Sequence, residues 1–219
     1  MKEIYNFLKQ LDANNNREWF DAHRDEYQNA KQKFLYVTEI LINEIRTFDP
    51  EIAYMDPKSC VFRIFRDVRF SNDKRPYKNN FGTYIARDGR KGGNPGYYLH
   101  IQPGESFIAG GIYMPDADKL KAIRTEIYNH PDEFIELIDE PAFKSRFTLY
   151  NDDKLKTAPR DFPKDFEHID LLRYKSYSPG MPLSEEQIFS DNFIELVVKH
   201  FELIAPFNRY LNYSIDRHK

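Results

Sequence analysis

The chain has 219 residues, of which 41% are hydrophobic and 31% are charged, and its formal net charge is -3. This composition is typical of a soluble globular protein with its own core, and no apolar run approaches the roughly 20 residues that span a bilayer, so no membrane partner is predicted. Acids near the start argue against a secretion signal, and the single Cys60 fits a reducing, cytoplasmic location. We therefore expect one cytoplasmic domain over residues 1–219.

The N-terminal part is predicted to be helical. Apolar residues spaced three and four apart indicate a short helix over Glu3 to Leu11 and a long one that ends near Asp49 and Pro50. Asn15 and Glu18 have the spacing of a capping box, so the long helix is expected to begin at Asn15 as one uninterrupted element.

The next segment, Val61 to Arg66, alternates in the way that predicts a strand with both faces packed. Arg63 lies between apolar neighbours in that strand. A buried guanidinium needs a carboxylate or an anionic ligand, so Arg63 is expected to be paired. After Arg66 the sequence predicts a loop, because polar turn residues and Pro76 interrupt regular structure.

A central antiparallel sheet is predicted from consecutive strands without intervening helices. Phe81 to Ala86 is one strand, and Tyr97–Gln102 and Ser106–Tyr113 form a hairpin around Pro103 and Gly104. Within the second arm, Gly110 and Gly111 indicate a bulge or a close backbone approach.

The C-terminal part is predicted to be mainly helical. Helices are expected from Pro115 to about His130, from Pro131 onward and within Ser184–Phe207, with a strand over Leu172–Tyr177. The fold class predicted is therefore α+β, with a central antiparallel sheet on which a long N-terminal helix and C-terminal helices pack.

Positive charge is concentrated in one stretch, from Lys58 to Lys78. It holds seven basic residues against two acids, a local charge of +5, so the remainder of the chain carries about -8. Aromatic residues are threaded through it. This pattern predicts a localised site for something anionic.

Two interpretations of the basic stretch stay open. In the first, its two carboxylates pair with arginines and brace the sheet. In the second, surplus guanidinium groups bind a phosphorylated or carboxylated small molecule, and His100, which shares a strand face with Tyr98, acts as an acid or base. The candidate ligand-binding residues are Arg63, Arg66, Asp67, Arg69, Asp73, Lys74, Tyr77, Lys78, Tyr98 and His100.

Other chemistries have weaker signals. The six histidines are scattered, so no metal site is predicted, although Asp67 and Asp73 leave an oxygen-only magnesium site as an alternative. No catalytic residue and no cofactor is identified. Nucleic-acid binding through the same basic and aromatic stretch, or a role as an interaction protein, are alternatives; the sequence pI of about 6.1 disfavours the first. The oligomeric state is left open.

Several motifs resemble a known family. They are the run from Arg66 to Lys78, the run from Asn14 to Phe20, Gly96-Tyr97-Tyr98-Leu99-His100, Gly110-Gly111, Pro115, Leu120, Arg124 and Ala158-Pro159-Arg160. Together they are similar to the widespread, mostly bacterial family known as domain of unknown function 2461. The resemblance covers nearly the whole chain. It implies no particular activity, so the functional expectations depend on the residues themselves.

Overall fold

The computed structural model describes residues 1–218, which form helices and an antiparallel sheet. The helices are α1 (Lys2–Ala13), α2 (Arg17–Ala22), α3 (Arg24–Phe48), α4 (Pro57–Cys60), α5 (Ala117–Asn129), α6 (Pro131–Asp139), α7 (Pro141–Lys144), α8 (Ile169–Leu172), α9 (Glu185–Phe189) and α10 (Phe193–Arg217). The strands are β1 (Phe81–Ala86), β2 (Gly96–Ile101), β3 (Phe107–Gly111), β4 (Thr148–Leu149) and β5 (Pro179–Pro182). Their order in the sheet is β1-β2-β3-β5-β4. The predicted α+β class is confirmed.

The described chain divides into two compact units that alternate along the sequence. Unit 1 comprises Met1–Ile85, Tyr98–Ile108 and Pro182–Lys199. Unit 2 comprises Ala86–Tyr97, Ala109–Met181 and the residues from His200. The single domain over residues 1–219 stays a prediction.

The core of unit 1 forms where the apolar stripes of α1 and α3 meet β1. Phe81 of β1 stacks on Phe34 of α3 with ring centres 5.3 Å apart, and Phe7 of α1 lies parallel to it at 6.4 Å. All three rings are buried. Burial of such large side chains contributes about 1.5–3 kcal/mol each, so this contact fixes one face of β1 against the helices.

The long N-terminal helix is interrupted at His23, where the prediction of one continuous element was wrong. Asn16, not Asn15, caps α2 by accepting a hydrogen bond from the Trp19 amide at 2.9 Å. His23 then leaves helical geometry, and its Nδ1 lies 2.8 Å from the Trp19 carbonyl. Asn15 is used elsewhere: its side chain bonds both the amide and the carbonyl of Tyr77.

Three of the four strands predicted between Val61 and Tyr113 are confirmed. Strand β1 has the predicted bounds, and β2 and β3 flank a turn in which Gly104 has the positive φ of 80° that the Pro-Gly pair predicts. The strand predicted over Val61–Arg66 was wrong. That segment bonds first to β1, through the Phe62 amide and the Gly82 carbonyl, and then to Pro76 and Lys78, so it makes only isolated bridges.

Unit 2 differs from the prediction at its element boundaries. Asp116 caps α5, so Pro115 lies outside the helix, and the strand expected over Leu172–Tyr177 is replaced by β5, which pairs with β4. The close backbone approach predicted at Gly111 is confirmed. Its φ is +73°, and a Cβ there would lie 1.9 Å from the Tyr177 carbonyl oxygen.

Among residues 1–218, no helix combines the length and the apolar character needed to cross a bilayer.

Candidate functional site

The predicted site residues separate into two groups within unit 1. Arg66, Asp67, Arg69, Asp73 and Lys74 lie on a loop over residues 66–75, which we call the basic loop. Lys78, Tyr98 and His100 belong to a second group with Phe62, Tyr84 and Phe107, which we call the Tyr98–His100 cluster.

Ion pairs occupy the base of the basic loop. Arg66 Nη1 lies 2.6 Å from Asp73 Oδ2, and Arg75 Nη2 lies 2.9 Å from the same oxygen. Arg75 also reaches Asp12 of α1, at 3.2 Å. Hydrogen bonds from Arg75, followed by the one from Arg66, hold the pKa of Asp73 far below its usual range. These arginines therefore already have carboxylate partners.

The tip of the basic loop is paired in the same way. Arg69 donates two hydrogen bonds to the Asp67 carboxylate, at 2.9 and 2.6 Å, and they lower the pKa of Asp67. Lys74 Nζ donates to the Val68 carbonyl at 3.1 Å. Exposed Arg63, however, makes no hydrogen bond or ion pair with any other residue in the range 1–218. The expectation that Arg63 is buried was therefore wrong, and its pairing with an anionic ligand stays a prediction.

Tyr77 lies in the core, although it follows the basic loop directly. Its ring is 5% exposed and stacks on Phe20 with ring centres 4.0 Å apart and planes 13° from parallel. The side chain of Asn15 fixes its backbone from both sides. Packing thus accounts for this aromatic residue without a ligand.

The Tyr98–His100 cluster begins with the alternation of β2. Tyr97, Leu99 and Ile101 are buried, whereas Tyr98 and His100 are half-buried on the opposite face. There the Tyr98 hydroxyl lies 2.8 Å from His100 Nδ1. Two residues with the same orientation on one strand are thereby joined in a hydrogen-bonded pair.

A chain of polar side chains fixes the tautomer of His100. Gln102 donates its amide N–H to Glu105, which leaves the Gln102 carbonyl oxygen to accept from His100 Nε2 at 3.0 Å. With its proton on Nε2, the imidazole accepts the Tyr98 O–H at Nδ1. Sequence alternation extends from His100 to Gln102, so the same signal could have found Gln102.

Both members of the pair are neutral near pH 7. Burial raises the pKa of Tyr98 to about 12. Burial is also the main cause that lowers the pKa of His100, and the positive charge of Lys78 lowers it further, against the opposing effects of Gln102 and Glu105. A neutral phenol and a neutral imidazole therefore face a lysine.

Aromatic rings surround this pair. Phe107 stacks on His100 with ring centres 4.6 Å apart, and Phe62 contacts Tyr98 edge-on at 6.0 Å. The Lys78 ammonium lies 5.4 Å from the centre of the Phe62 ring. The cluster is thus a half-buried aromatic surface with one cation and one proton-accepting pair.

Gly82 of β1 allows Tyr98 to occupy its position. A Cβ at residue 82 would lie 2.6 Å from the Tyr98 hydroxyl oxygen, closer than real Cβ atoms approach their neighbours. The Tyr98 hydroxyl therefore packs against the backbone of residue 82, where any side chain would occupy its space.

Chemically, the pair can move a proton. A ligand hydroxyl within reach of the Tyr98 oxygen can donate to it while Tyr98 passes its own proton to His100 Nδ1. Lys78 supplies the nearby positive charge that favours the resulting anion.

Several of these residues were missed by sequence reasoning. Phe107 and Gly82 come from strands on either side of β2, and Asp12 lies 63 residues from Arg75 in sequence. No local spacing indicates such contacts. Within residues 1–218 no group of three or more His, Cys, Asp or Glu residues is arranged to hold a metal ion.

Comparison with known proteins gives one match. The model of the family described as "Conserved hypothetical protein (DUF2461)" matches residues 3–210. No curated protein and no solved structure matches the chain. The match covers all the motifs on which the resemblance was based.

Proposed function

Because the chain belongs to the DUF2461 family of conserved hypothetical proteins, we propose a function from the geometry of its side chains: it binds a small phosphorylated or carboxylated molecule at the Tyr98–His100 cluster. Lys78 contacts the anionic group in this proposal. The rings of Phe62, Phe107 and Tyr98 contact a planar part of the same molecule. The cytoplasmic location favoured by the sequence is part of the proposal.

The observation that carries this proposal is the position of Lys78 beside a neutral histidine. Its charge is close enough to lower the pKa of His100, and both groups lie at a half-buried surface where electrostatic interactions are stronger than in water. An anion bound between them would attract both groups and favour protonation of His100. Anion binding and His100 protonation should therefore be coupled.

The basic loop is a weaker candidate for anion binding than the sequence suggested. Arg66, Arg69 and Arg75 each already contact a carboxylate of the same chain. A phosphate would have to displace those carboxylates, which are fixed by hydrogen bonds that lower their pKa. In the proposal Arg63 and Lys74 provide only peripheral charge. Nucleic-acid binding through the loop is also less favoured, because the arginines of the loop are already paired with carboxylates.

The test compares two lysines of the same basic stretch. Thermal unfolding of wild type, Lys78→Gln and the matched control Lys74→Gln is measured with phosphate, sulfate and a set of phosphorylated and carboxylated metabolites. A ligand at 100 times its Kd stabilises the folded state by about 2.7 kcal/mol. We expect wild type and Lys74→Gln to gain stability, and Lys78→Gln to lose the response.

The pKa of His100, measured by NMR titration, tests whether the stabilising anion binds at the Tyr98–His100 cluster. We expect the stabilising anion to raise this pKa in wild type and in Lys74→Gln. A wild type that responds to none of these anions, or a Lys78→Gln variant that responds as fully as wild type, overturns the proposal.

A further inference from the structure

Three side chains of the Tyr98–His100 cluster are joined in the order of a catalytic triad. The Tyr98 hydroxyl lies 2.8 Å from His100 Nδ1, and His100 Nε2 lies 3.0 Å from the Gln102 carbonyl oxygen. Enzymes that form a covalent intermediate hold a hydroxyl or thiol against a histidine in this way, while a third polar group orients the histidine. Both distances fall within the hydrogen-bond range that such a proton transfer requires.

One nitrogen of His100 can accept a proton, and the Tyr98 hydroxyl donates to it. The other nitrogen, Nε2, carries the proton that is donated to Gln102, whose amide N–H is held by Glu105. Any proton that His100 accepts at Nδ1 therefore comes from Tyr98. The oxygen that becomes negative in this transfer is the Tyr98 oxygen, so that oxygen gains nucleophilic character.

The protonation states of the pair suit this transfer. Burial raises the pKa of Tyr98 to about 12, so its phenol is protonated at neutral pH. Burial is also the main cause that lowers the pKa of His100, so the imidazole is a neutral base. The charged groups that face it are Lys78, which lowers this pKa further, and Glu105, which raises it. Serine hydrolases begin their reaction from the same two states, a protonated nucleophile and a neutral histidine.

Lys78 and the surrounding rings select the kind of electrophile. In the proposed function, on which this inference rests, Lys78 contacts the anionic group of the ligand, and Phe62 and Phe107 contact its planar part. A carboxylate in this position resists attack by a nucleophile. A phosphate ester can transfer its phosphoryl group, with charge spread over the phosphoryl oxygens, and a neighbouring cation stabilises that charge.

We infer that the cluster is the active site of a phosphatase that acts on phosphate monoesters of planar alcohols, with Tyr98 as the nucleophile. The Tyr98 oxygen attacks phosphorus, His100 Nδ1 takes the phenol proton, and the ester P–O bond breaks. The departing alkoxide takes that proton from His100, which leaves phosphotyrosine and the free alcohol. Water then attacks phosphorus and gives a proton to His100, and the P–O bond to Tyr98 breaks. That proton returns to the Tyr98 oxygen, and inorganic phosphate is released.

Turnover of para-nitrophenyl phosphate, which carries its phosphate on a planar ring, tests the activity. We expect wild type to release nitrophenolate, and so should the matched control Tyr54→Phe, which changes an exposed tyrosine outside the cluster. Tyr98→Phe and His100→Gln should each lower kcat by at least about a hundredfold. Acid quenching during turnover, followed by mass spectrometry of the peptides, should find a phosphoryl group on Tyr98 of wild type.

Glu105→Gln tests the role of His100 through the pH profile. The glutamine can still accept the amide N–H of Gln102, so the substitution removes the charge and keeps the hydrogen bond. Loss of this charge should lower the pKa of His100 further, and the acidic limb of kcat/KM should move to lower pH at low salt. A limb that stays in place would overturn the assignment of His100 as the base.

Phosphate binding is measured on the same proteins, so that failure of the activity is distinct from failure of the proposed function. Tyr98→Phe retains Lys78, and phosphate should still stabilise it against thermal unfolding. If phosphate binds but wild type hydrolyses the ester no faster than Tyr98→Phe, the phosphatase inference is wrong and the binding function stands. Turnover without a phosphoryl group on Tyr98 overturns the assignment of the nucleophile. If neither phosphate nor the ester binds, both proposals are wrong.

Discussion

The basic loop and the Tyr98–His100 cluster place their positive charge in different surroundings. In the loop, Arg66 and Arg75 share Asp73, and Arg69 binds Asp67. In the cluster, Lys78 faces aromatic rings and a neutral imidazole. The loop has more cations, yet the cluster is the better candidate for binding an anion.

The carboxylates that pair with the arginines of the loop come mainly from the loop itself. Asp67 and Asp73 are close in sequence to the arginines that they bind, and Asp12 adds a third acid from α1. Charge counted along a sequence therefore overestimates the charge that a ligand can use. What identifies a site is a cation beside groups whose protonation it perturbs.

The largest effect is expected at Tyr77, which joins neither region. Because its buried ring stacks on Phe20, Tyr77→Ala should lower the free energy of unfolding by about 3–5 kcal/mol. Tyr77→Phe keeps the ring and serves as the control. Urea denaturation measures both. If Tyr77→Ala is as stable as wild type but loses the anion response, Tyr77 belongs to the ligand-binding site and not to the core.

The next largest effect separates the two regions directly. Arg66→Gln should lower stability, since it removes a partner of Asp73, and leave the anion response intact. Lys78→Gln should lose the anion response. Unfolding midpoints with and without the stabilising anion give both quantities for both variants. If the two variants exchange these phenotypes, the assignment of brace and site must be exchanged as well.

A smaller effect is the pH dependence that Asp73 brings to the loop. Its pKa is lowered in the folded state, so the stability it contributes is present above the unfolded value near 3.9 and is lost as pH falls toward the folded value. Asp73→Asn should therefore be less stable than wild type at pH 7, and the gap should narrow below about pH 4. A gap that does not change with pH would mean that the carboxylate charge contributes nothing.

The smallest effect is expected from His100. Burial lowers its folded pKa, so its neutral form stabilises fully above the unfolded value near 6.5, and that contribution is lost as pH falls through the folded pKa. His100→Gln should flatten the decline of the unfolding midpoint below about pH 6.5. An equally steep decline in the variant would assign it to another group.

The sequence predicted the parts of the fold that depend on short-range patterns. Strand β1 and the β2–β3 hairpin follow from alternation and from Pro103-Gly104, and the shared strand face of Tyr98 and His100 follows from their spacing. Alternation also suggested a strand over Val61–Arg66, but the segment changes partners after Phe62. Exchange of backbone partners leaves no trace in hydrophobic spacing.

Residues that act across elements were not predictable in the same way. Asn15 has the spacing of a helix cap, but its amide binds the backbone of Tyr77, 62 residues away. The same holds for the pairing of Arg75 with Asp12. Such polar contacts form only when distant segments meet in the folded chain, and no periodic pattern in the sequence indicates them.

Gly82 gives the cluster a marker that can be followed through the family. Any side chain at residue 82 meets the Tyr98 hydroxyl, so substitutions at the two positions should be correlated among relatives. Relatives that keep glycine at residue 82 can keep tyrosine at residue 98. Relatives with a larger residue at position 82 should carry a shorter side chain at position 98. These relatives will have lost the proton-accepting pair even where the overall fold is retained.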